Sequence, residues 1–158
     1  MILKKKLIIF GAGGGAKEII SLVNDINKID CIWEIMGIVD PKKPTRNING
    51  IKVNSNFKSN NQKNYYGICS VSSPKVKEKI IKNEILKNGM KIPSIIHPKA
   101  YIAEDAKISS GCIVFPNAKI GPSSKIRSSV WVDYNVVVGH DVQIGKYSSI
   151  MPHSLVLG

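Results

Sequence analysis

A histidine followed directly by an aspartate, His140-Asp141, is the pair in this sequence best suited to proton transfer. Histidine gains and loses a proton near neutral pH, and an adjacent carboxylate can orient the ring and stabilise its charged form. Such a pair can act as a general base that removes the proton from an attacking amine or hydroxyl. A polar surface turn explains the same two residues equally well. The surrounding elements are therefore needed to distinguish a catalytic pair from such a turn.

A run of glycines near the N-terminus can bring backbone amides close to a phosphate group. The stretch Gly11-Ala12-Gly13-Gly14-Gly15-Ala16 fits the pattern G-x-G-x-x-G/A, and Asp40 follows at the distance of an acid that binds a ribose hydroxyl. A helix that begins at such a loop adds a favourable dipole for anions. A tight turn that needs small residues is the alternative explanation of these glycines.

Metal chemistry has little support in the sequence. A catalytic zinc site on a β-prism needs about three convergent imidazoles. Only His97, His140 and His153 are present, and we place His97 before the repeats described below. We therefore expect no metal site.

The cysteines and the net charge indicate a cellular compartment and limit the classes of binding partner. The cysteines Cys31, Cys69 and Cys112 lie far apart without a CxxC pair, which favours a reduced cytoplasm and no zinc or disulfide framework. The formal net charge of +12 favours anionic partners, but the lysines are scattered and only 6% of residues are aromatic, so we expect no nucleic-acid site. No segment is long enough to span a bilayer, so we expect no stable membrane insertion.

The first part of the chain, residues 1–95, has the pattern of a small α/β domain. Short apolar runs predict strands at 5–10, 35–39 and 66–71, with helices after the first and the third. The second of these helices is expected to bury one face made of Val76, Ile80, Ile81 and Ile85. Strands that alternate with helices in this way predict a mostly parallel, Rossmann-like sheet.

From residue 101 the chain can be cut every six residues without a slip in register. The second position of each unit is aliphatic and β-branched: Ile102, Ile108, Val114, Ile120, Ile126, Val132, Val138, Ile144, Ile150 and Val156. The last position of each unit is small or of medium size. This period predicts a solenoid in which each unit forms one face and three units form a coil, so that the aliphatic side chains stack inward as a continuous core. We assign residues 96–158 to this all-β domain.

The repeat register gives His140 a particular place. It occupies the fourth slot of its unit, which is filled by Pro116, Pro122 and Pro152 in other units. Because proline marks chain corners, His140 is predicted to project outward from an edge of the solenoid, where its ring can meet a substrate.

Hexapeptide solenoids resemble a large superfamily of acyltransferases that use acetyl-CoA, and they also resemble the gamma-class carbonic anhydrases, which the histidine count disfavours. With Val138-Gly139-His140-Asp141-Val142-Gln143-Ile144-Gly145 and the glycine-rich loop, the whole chain resembles the bacterial sugar O-acyltransferase family, which includes sialic acid O-acetyltransferases and UDP-4-amino-sugar N-acetyltransferases. The resemblance implies a left-handed parallel β-helix, acetyl-CoA as acyl donor and a homotrimer with active sites between neighbouring solenoids.

The resemblance also implies roles for individual residues. His140 is then the proton acceptor, and Asp141 raises its basicity. The glycine loop and the acid after the second strand hold the nucleotide sugar, which makes Gly13, Gly14, Gly15 and Asp40 the substrate-contact candidates. Ser149 and Gly158 match the positions that contact the coenzyme.

Several positions depart from the family pattern. Family members usually place a histidine where this chain has Gly15, an acid where it has Pro41, and often a histidine where it has Ser149. The sequence also ends at Gly158 inside a repeat unit, whereas the family continues for further coils that complete the coenzyme groove. We therefore expect a truncated form.

The leading hypothesis is acetyl transfer from acetyl-CoA to the amino group of a nucleotide-linked sugar in bacterial glycan biosynthesis. O-acetylation of a sialic acid or another sugar is the close alternative. A truncated, non-catalytic module that binds a sugar nucleotide belongs to another class of function. A nicotinamide-dependent oxidoreductase rests on the glycine loop alone.

Overall fold

The computed structural model describes residues 4–58 and 61–158, which form two compact units that divide between Ile92 and Pro93. The elements of the first unit are the strands β1 (Lys5–Phe10), β2 (Trp33–Val39), β3 (Asn47–Ile48), β4 (Ile51–Asn54) and β5 (Tyr66–Cys69), the helices α1 (Gly14–Ile29) and α2 (Pro74–Ile80), a 3-10 turn (Gln62–Asn64) and a π-helical segment (Ile81–Leu86) that continues α2.

The strands of the first unit form one sheet in the order β3-β4-β2-β1-β5 among the residues described. The strands β4, β2, β1 and β5 are parallel, and β3 pairs antiparallel with β4 across the Asn49-Gly50 turn. Because parallel strands have both faces covered, β1 reads as a continuous apolar run, and Leu7 to Phe10 are buried.

The helix α1 lies between the two central strands in sequence and buries one apolar face. Ala16, Ile19, Ile20, Leu22, Val23 and Ile26 are the buried residues of this face. They recur at the spacing of an amphipathic helix, as the sequence predicts. The carboxyl ends of β1 and β2 therefore meet the N-terminal end of α1 at one edge of the sheet.

The face predicted for the second helix is wrong at its first position. Val76 is 47% exposed, and Lys77 is buried instead. The inward stripe is Lys77, Ile81 and Ile85, because residues four apart lie above one another on a helix. From Ile81 to Leu86 the chain has π-helical spacing, and the turn that follows includes Gly89, which has φ of 75°.

The second unit is built of two-residue strands. They are β6 (Ile95–Ile96), β7 (Tyr101–Ile102), β8 (Lys107–Ile108), β9 (Ile113–Val114), β10 (Lys119–Ile120), β11 (Lys125–Ile126), β12 (Trp131–Val132), β13 (Val137–Val138), β14 (Gln143–Ile144), β15 (Ser149–Ile150) and β16 (Leu155–Val156).

Every third strand belongs to the same parallel sheet. Within Pro93–Gly158 the sheets are β16-β13-β10-β7, β14-β11-β8 and β15-β12-β9-β6. Paired residues such as Lys119 and Val137 are 18 positions apart in sequence, so three hexapeptide units make one coil. The hexapeptide solenoid predicted from the register is therefore present as a parallel β-helix.

The repeats begin one unit earlier than the register from residue 101 indicated. The strand β6 pairs with β9 through Ile95 with Ile113 and Ile96 with Val114. His97 thus lies inside the first repeat unit, and the statement that it precedes the repeats is wrong. The unit IIHPKA has an aliphatic second position, a proline in the fourth and a small residue in the sixth, so it fits the pattern already recognised.

The core of the solenoid consists of the second and sixth positions of the repeats. Its fully buried members include Val114, Ala118, Ile120, Ile126 and Val136. The chain turns between the fourth and fifth positions, and the fifth residue has a positive φ in Gly111, Asn117, Ser123, Ser129, Asn135, Asp141, Tyr147 and His153. A positive φ at the third of four turn residues, with proline accepted just before it, defines a type II turn.

Candidate active site

His140 and Asp141 occupy the two central positions of a turn that follows β13. Asp141 has φ of 59°, a conformation that a short polar side chain tolerates better than most others. The side chains are 73% and 70% exposed, and Nδ1 of His140 lies 2.8 Å from Oδ2 of Asp141. The structure thus places both residues at a corner of the solenoid, as the register predicted.

The contact with Asp141 determines which ring nitrogen of His140 can act as a base. An ionised carboxylate only accepts hydrogen bonds, so Nδ1 must donate its proton to Oδ2. The neutral ring then carries its lone pair on Nε2, which is free of this contact. The pair therefore has the arrangement of an oriented general base.

The backbone of this turn is held by a buried side chain that the sequence analysis did not select. Ser124 is fully buried, and its hydroxyl donates to the carbonyl oxygen of Gly139 at 2.7 Å while accepting from the N–H of Val142 at 3.1 Å. Gly139 and Val142 are the first and last residues of the turn. Sequence inspection registered Ser124 only as a small residue in the sixth slot, because its partners are 15 and 18 residues away.

Gly158 is the predicted coenzyme contact that the structure brings to His140. A β carbon on Gly158 would lie 3.0 Å from Cε1 and 3.1 Å from Nδ1 of the ring, and closer still to the carbonyl oxygen of His140. Ser149 lies elsewhere, at the start of β15, where it pairs with Trp131 on another sheet. The structure therefore brings Gly158, but not Ser149, into contact with the His140 corner of the same chain.

The glycine loop contains glycines of two kinds. Gly11 is buried with φ of 107°, and a β carbon there would lie 2.6 Å from Oγ of Ser70, so packing and backbone conformation both require glycine. Gly13 and Gly14 are exposed, and a β carbon on either would meet nothing within 4 Å. Their bare backbone therefore faces open space, which suits the approach of a ligand.

The N-terminus of α1 is free to attract an anion. Gly13 is the N-cap residue without a side-chain cap, and Gly14 and Gly15 supply the first backbone amides of the helix. The first turn contains no acidic residue that would neutralise the helix dipole. This arrangement can hold a phosphate group through backbone N–H donors.

Asp40 connects the ends of the two central strands. Its Oδ2 accepts from the backbone N–H of Ala12 at 3.0 Å, and its Oδ1 accepts from the N–H of Lys42 at 2.9 Å. The structure thus brings Asp40 next to the glycine loop, as its place after the second strand predicted. Each carboxylate oxygen has a further lone pair, so the same group can still accept from a ligand hydroxyl.

Two buried residues near the end of β5 were also not selected from the sequence. Burial raises the pKa of the Cys69 thiol to about 11, although the nearby Lys77 ammonium acts in the opposite direction. Lys77 is 2% exposed in the first turns of α2. A lysine at that helical position carries no distinguishing sequence signal, because solvated lysines are common elsewhere in this chain.

Within residues 4–58 and 61–158, no cluster of three or more His, Cys, Asp or Glu side chains has the arrangement of a metal site. The same residues contain no helix that is both long and apolar enough to cross a membrane.

Two domain families match this chain. The PglD N-terminal domain matches residues 6–83, and the bacterial transferase hexapeptide family, described as six repeats, matches residues 123–158. Together the two matches support an acyltransferase of the hexapeptide-repeat type.

A curated relative matches most of this chain. The GDP-perosamine N-acetyltransferase of Escherichia coli O157:H7 is 28% identical over 148 residues, which cover 91% of this chain and 66% of that protein. The chain thus spans slightly less than two thirds of the length of this relative. These matches confirm the resemblance, stated from the sequence, to the hexapeptide-repeat sugar acyltransferases.

Solved structures share the fold. A mutant perosamine N-acetyltransferase from Caulobacter crescentus, in complex with CoA and GDP-perosamine, superposes with a TM-score of 0.83 at 21% identity, covering 97% of this chain and 71% of that one. WeeI from Acinetobacter baumannii gives 0.84 at 20% identity, with coverages of 98% and 73%. The acetyltransferase domain of PglB from Neisseria gonorrhoeae gives 0.80 at 24% identity, with coverages of 94% and 72%.

Proposed function

We propose that this protein transfers an acetyl group from acetyl-CoA to the amino group of a nucleotide-linked amino sugar in bacterial glycan biosynthesis. The observation that carries the proposal is the 2.8 Å contact between Nδ1 of His140 and Oδ2 of Asp141 at an exposed corner of the solenoid. The N-acetyltransferase relative supports transfer to nitrogen.

The chemistry assigned to the chain is general-base catalysis. Nε2 of His140 accepts a proton from the substrate amine while the amine nitrogen forms a bond to the acetyl carbon. The bond between that carbon and the coenzyme sulfur breaks, and the proton passes from Nε2 to the departing thiolate. Asp141 stabilises the imidazolium that exists between these two proton transfers.

The α/β unit is the proposed binding region for the nucleotide part of the substrate. Backbone amides at Gly13, Gly14 and Gly15 would contact phosphate at the N-terminus of α1, and Asp40 would accept from a sugar or ribose hydroxyl. Gly158 would face the thioester, and Ser149 is proposed as a coenzyme contact from its matching family position. No metal takes part in this scheme.

Finer features follow from family membership as part of the same proposal. The α/β unit, residues 1–95 by the sequence division, is taken to be a Rossmann-like domain, and the coils of residues 96–158 are taken to wind left-handed. A homotrimer in the cytoplasm is the proposed assembly and location. Light scattering of the purified chain tests the trimer, and a monomer across the assay concentrations would contradict it.

Release of coenzyme thiol tests the activity. The chain, and any longer product of the same reading frame, is incubated with acetyl-CoA and a panel of amino-sugar nucleotides that includes GDP-perosamine. We expect turnover with at least one acceptor, a gain of one acetyl group in the product mass, and loss of turnover in His140→Ala. An absence of His140-dependent turnover with every acceptor would contradict the proposal and favour a binding module.

Transfer to a hydroxyl, as in sialic acid O-acetyltransferases, is the second candidate, because the same oriented base can deprotonate either nucleophile. Treatment of the product with mild alkali separates the two reactions, since esters hydrolyse and amides resist. An acetyl group that is lost in mild alkali would identify a hydroxyl, and not an amine, as the acceptor.

A further inference from the structure

Ser124 links two consecutive coils at the corner that carries His140 and Asp141. Its hydroxyl lies between the first carbonyl and the last N–H of the turn Gly139–Val142, at 2.7 Å and 3.1 Å. The side chain is fully buried, so water does not compete for these two bonds.

Five other turns of the solenoid close without a side chain. In the turns that begin at Ala103, Phe115, Asp133, Gly145 and Met151, the carbonyl of the first residue accepts directly from the N–H of the last. In the turn Gly139–Val142 the Ser124 hydroxyl is inserted between the corresponding groups. The position of the two central residues, His140 and Asp141, thus depends on a side chain of the preceding coil.

The same coil also limits movement of this turn by steric contact. A β carbon on Gly121 would lie 2.7 Å from both the carbonyl carbon and the carbonyl oxygen of Gly139. The backbone of Gly121 therefore lies directly against the peptide group that joins Gly139 to His140. Together with the Ser124 hydroxyl, this close contact fixes that peptide from one side.

A second serine in the solenoid provides an internal control. The hydroxyl of Ser94 donates to the carbonyl oxygen of Ser109 at 3.0 Å and accepts from the N–H of Cys112 at 3.3 Å. The sequence separations are the same as for Ser124, and the turn held by Ser94 contains neither His140 nor Asp141. Removal of either hydroxyl thus removes an equivalent bridge between two coils, although the Ser124 hydroxyl also lies 3.4 Å from the carbonyl oxygen of Pro122. Only the turn bridged by Ser124 carries the proposed base.

From this geometry we propose that Ser124 is the positioning residue of the catalytic turn. It fixes the peptide planes at both ends of Gly139–Val142. The His140 ring is thereby held with Nδ1 bonded to Asp141 and with Nε2 available to the amine that receives the acetyl group. The inference rests on the proposed function of His140. It assigns no contact between Ser124 and the substrate.

The test compares Ser124→Ala with Ser94→Ala by two measurements. The first is the ¹⁵N spectrum of the His140 ring at mildly alkaline pH, where the protonated nitrogen can be identified. We expect a single tautomer with the proton on Nδ1 in wild type and Ser94→Ala, and a mixture of tautomers in Ser124→Ala. The second is turnover, for which we expect kcat to fall about tenfold to a hundredfold in Ser124→Ala, with little change in KM and no loss in Ser94→Ala.

The two readouts separate the positioning role from the activity. Wild-type ring signals and wild-type kcat in folded Ser124→Ala would overturn the positioning role. If wild type itself has no turnover with any acceptor, the proposed function fails, and the ring signals still decide the role of Ser124.

Ser124→Cys provides a second variant if Ser124→Ala does not fold. A thiol in this slot can donate to the carbonyl one coil along, as Cys112 does to Arg127 at 3.1 Å, but sulfur is a weak acceptor for the Val142 N–H. The expected result is an intermediate tautomer mixture and an intermediate kcat. A folded Ser124→Cys that matches wild type in both readouts would contradict the proposal.

Discussion

Asp40 holds the glycine loop through a 3.0 Å hydrogen bond from the backbone N–H of Ala12 to its Oδ2. Its other oxygen accepts from Lys42, so one side chain joins the loops that follow β1 and β2. These loops lie at the carboxyl edge of the parallel sheet, where ligands of open α/β sheets bind. The contact makes the shape of the proposed nucleotide site depend on a residue that is also a candidate for contacting the substrate.

The two kinds of glycine in this loop should respond oppositely to the addition of one methyl group. Gly11→Ala is expected to destabilise the fold by about 1–3 kcal/mol, because its β carbon collides with Ser70 and φ is positive. Gly13→Ala should leave the unfolding temperature close to that of wild type while weakening nucleotide-sugar binding, since the methyl group enters the space left for the ligand. Thermal unfolding and calorimetric titration measure the two effects. Unchanged affinity in Gly13→Ala would argue against a phosphate contact at this residue.

The base and its partner should contribute unequally to catalysis. His140→Ala removes the proposed proton acceptor, and we expect kcat to fall about 10²- to 10⁴-fold without loss of fold, because the side chain is mostly exposed. Asp141→Asn keeps the size of the side chain but removes the charge that stabilises the imidazolium, so a smaller loss is expected. The control is Asn135→Ala, which alters a turn residue in the same slot as Asp141, in the turn that precedes β13. A kcat in His140→Ala equal to that of Asn135→Ala would remove His140 from the mechanism.

The sequence predicted the parts of the fold that depend on a repeated local pattern. The second positions from Ile102 onward identified the core and placed His140 at a turn, because every coil presents the same slots to the interior and the corner. The pattern was complete one unit earlier, at Ile96, but His97 was taken to lie outside it. In the α/β unit, helical spacing correctly identified Ile81 and Ile85 as buried. It also predicted Val76 to be buried, whereas the structure buries Lys77.

Interactions between coils were not predictable in the same way. The bonds of Ser124 to Gly139 and Val142 join residues that are distant in sequence, and a serine in a small-residue slot satisfies the repeat pattern with or without them. Similarly, nothing in the glycine run distinguishes Gly11 from Gly13. Their difference arises from the approach of Ser70, which follows the neighbouring strand.

Reaction with a thiol reagent should distinguish the exposed cysteine from the two buried ones. Cys31 is exposed, whereas Cys69 and Cys112 are buried, so a thiol reagent should label one cysteine in the native protein and three after unfolding. Cys31→Ser should then show almost no labelling in the native state. Rapid native labelling of Cys31→Ser would contradict the burial of Cys69 and Cys112.

The raised pKa of Cys69 should also make stability depend on alkaline pH. The thiol has an ordinary pKa of 9.0, which burial raises to about 11 in the folded protein, so the folded state retains the proton where the unfolded chain has lost it. This contribution is fully present below pH 9.0 and is lost as the pH rises through about 11. The sign follows from proton binding: between these two values the unfolded chain binds fewer protons than the folded one, so stability falls as the pH rises. Cys69→Ala should therefore lose less stability than wild type over that interval in denaturant titrations. Identical pH dependence in the two proteins would show that the thiol is ionised equally in both states.

The turn that contains Ser123, one coil before the His140 turn, offers a prediction at acidic pH. Oδ2 of Asp105 accepts from the hydroxyl of Ser123 at 2.8 Å and from its backbone N–H at 2.9 Å, and these bonds lower the pKa of the carboxyl group. A depressed folded pKa means that the stabilising effect is present above the unfolded pKa and is lost as the pH falls through the folded value. Ser123→Ala removes the hydroxyl bond, which is the larger cause, and should raise the pKa of Asp105 towards its ordinary value while the backbone bond remains. Carbon-detected NMR titration of the Asp105 carboxyl group measures this shift, and an unchanged titration midpoint would mean that the hydroxyl does not bind the carboxylate in solution.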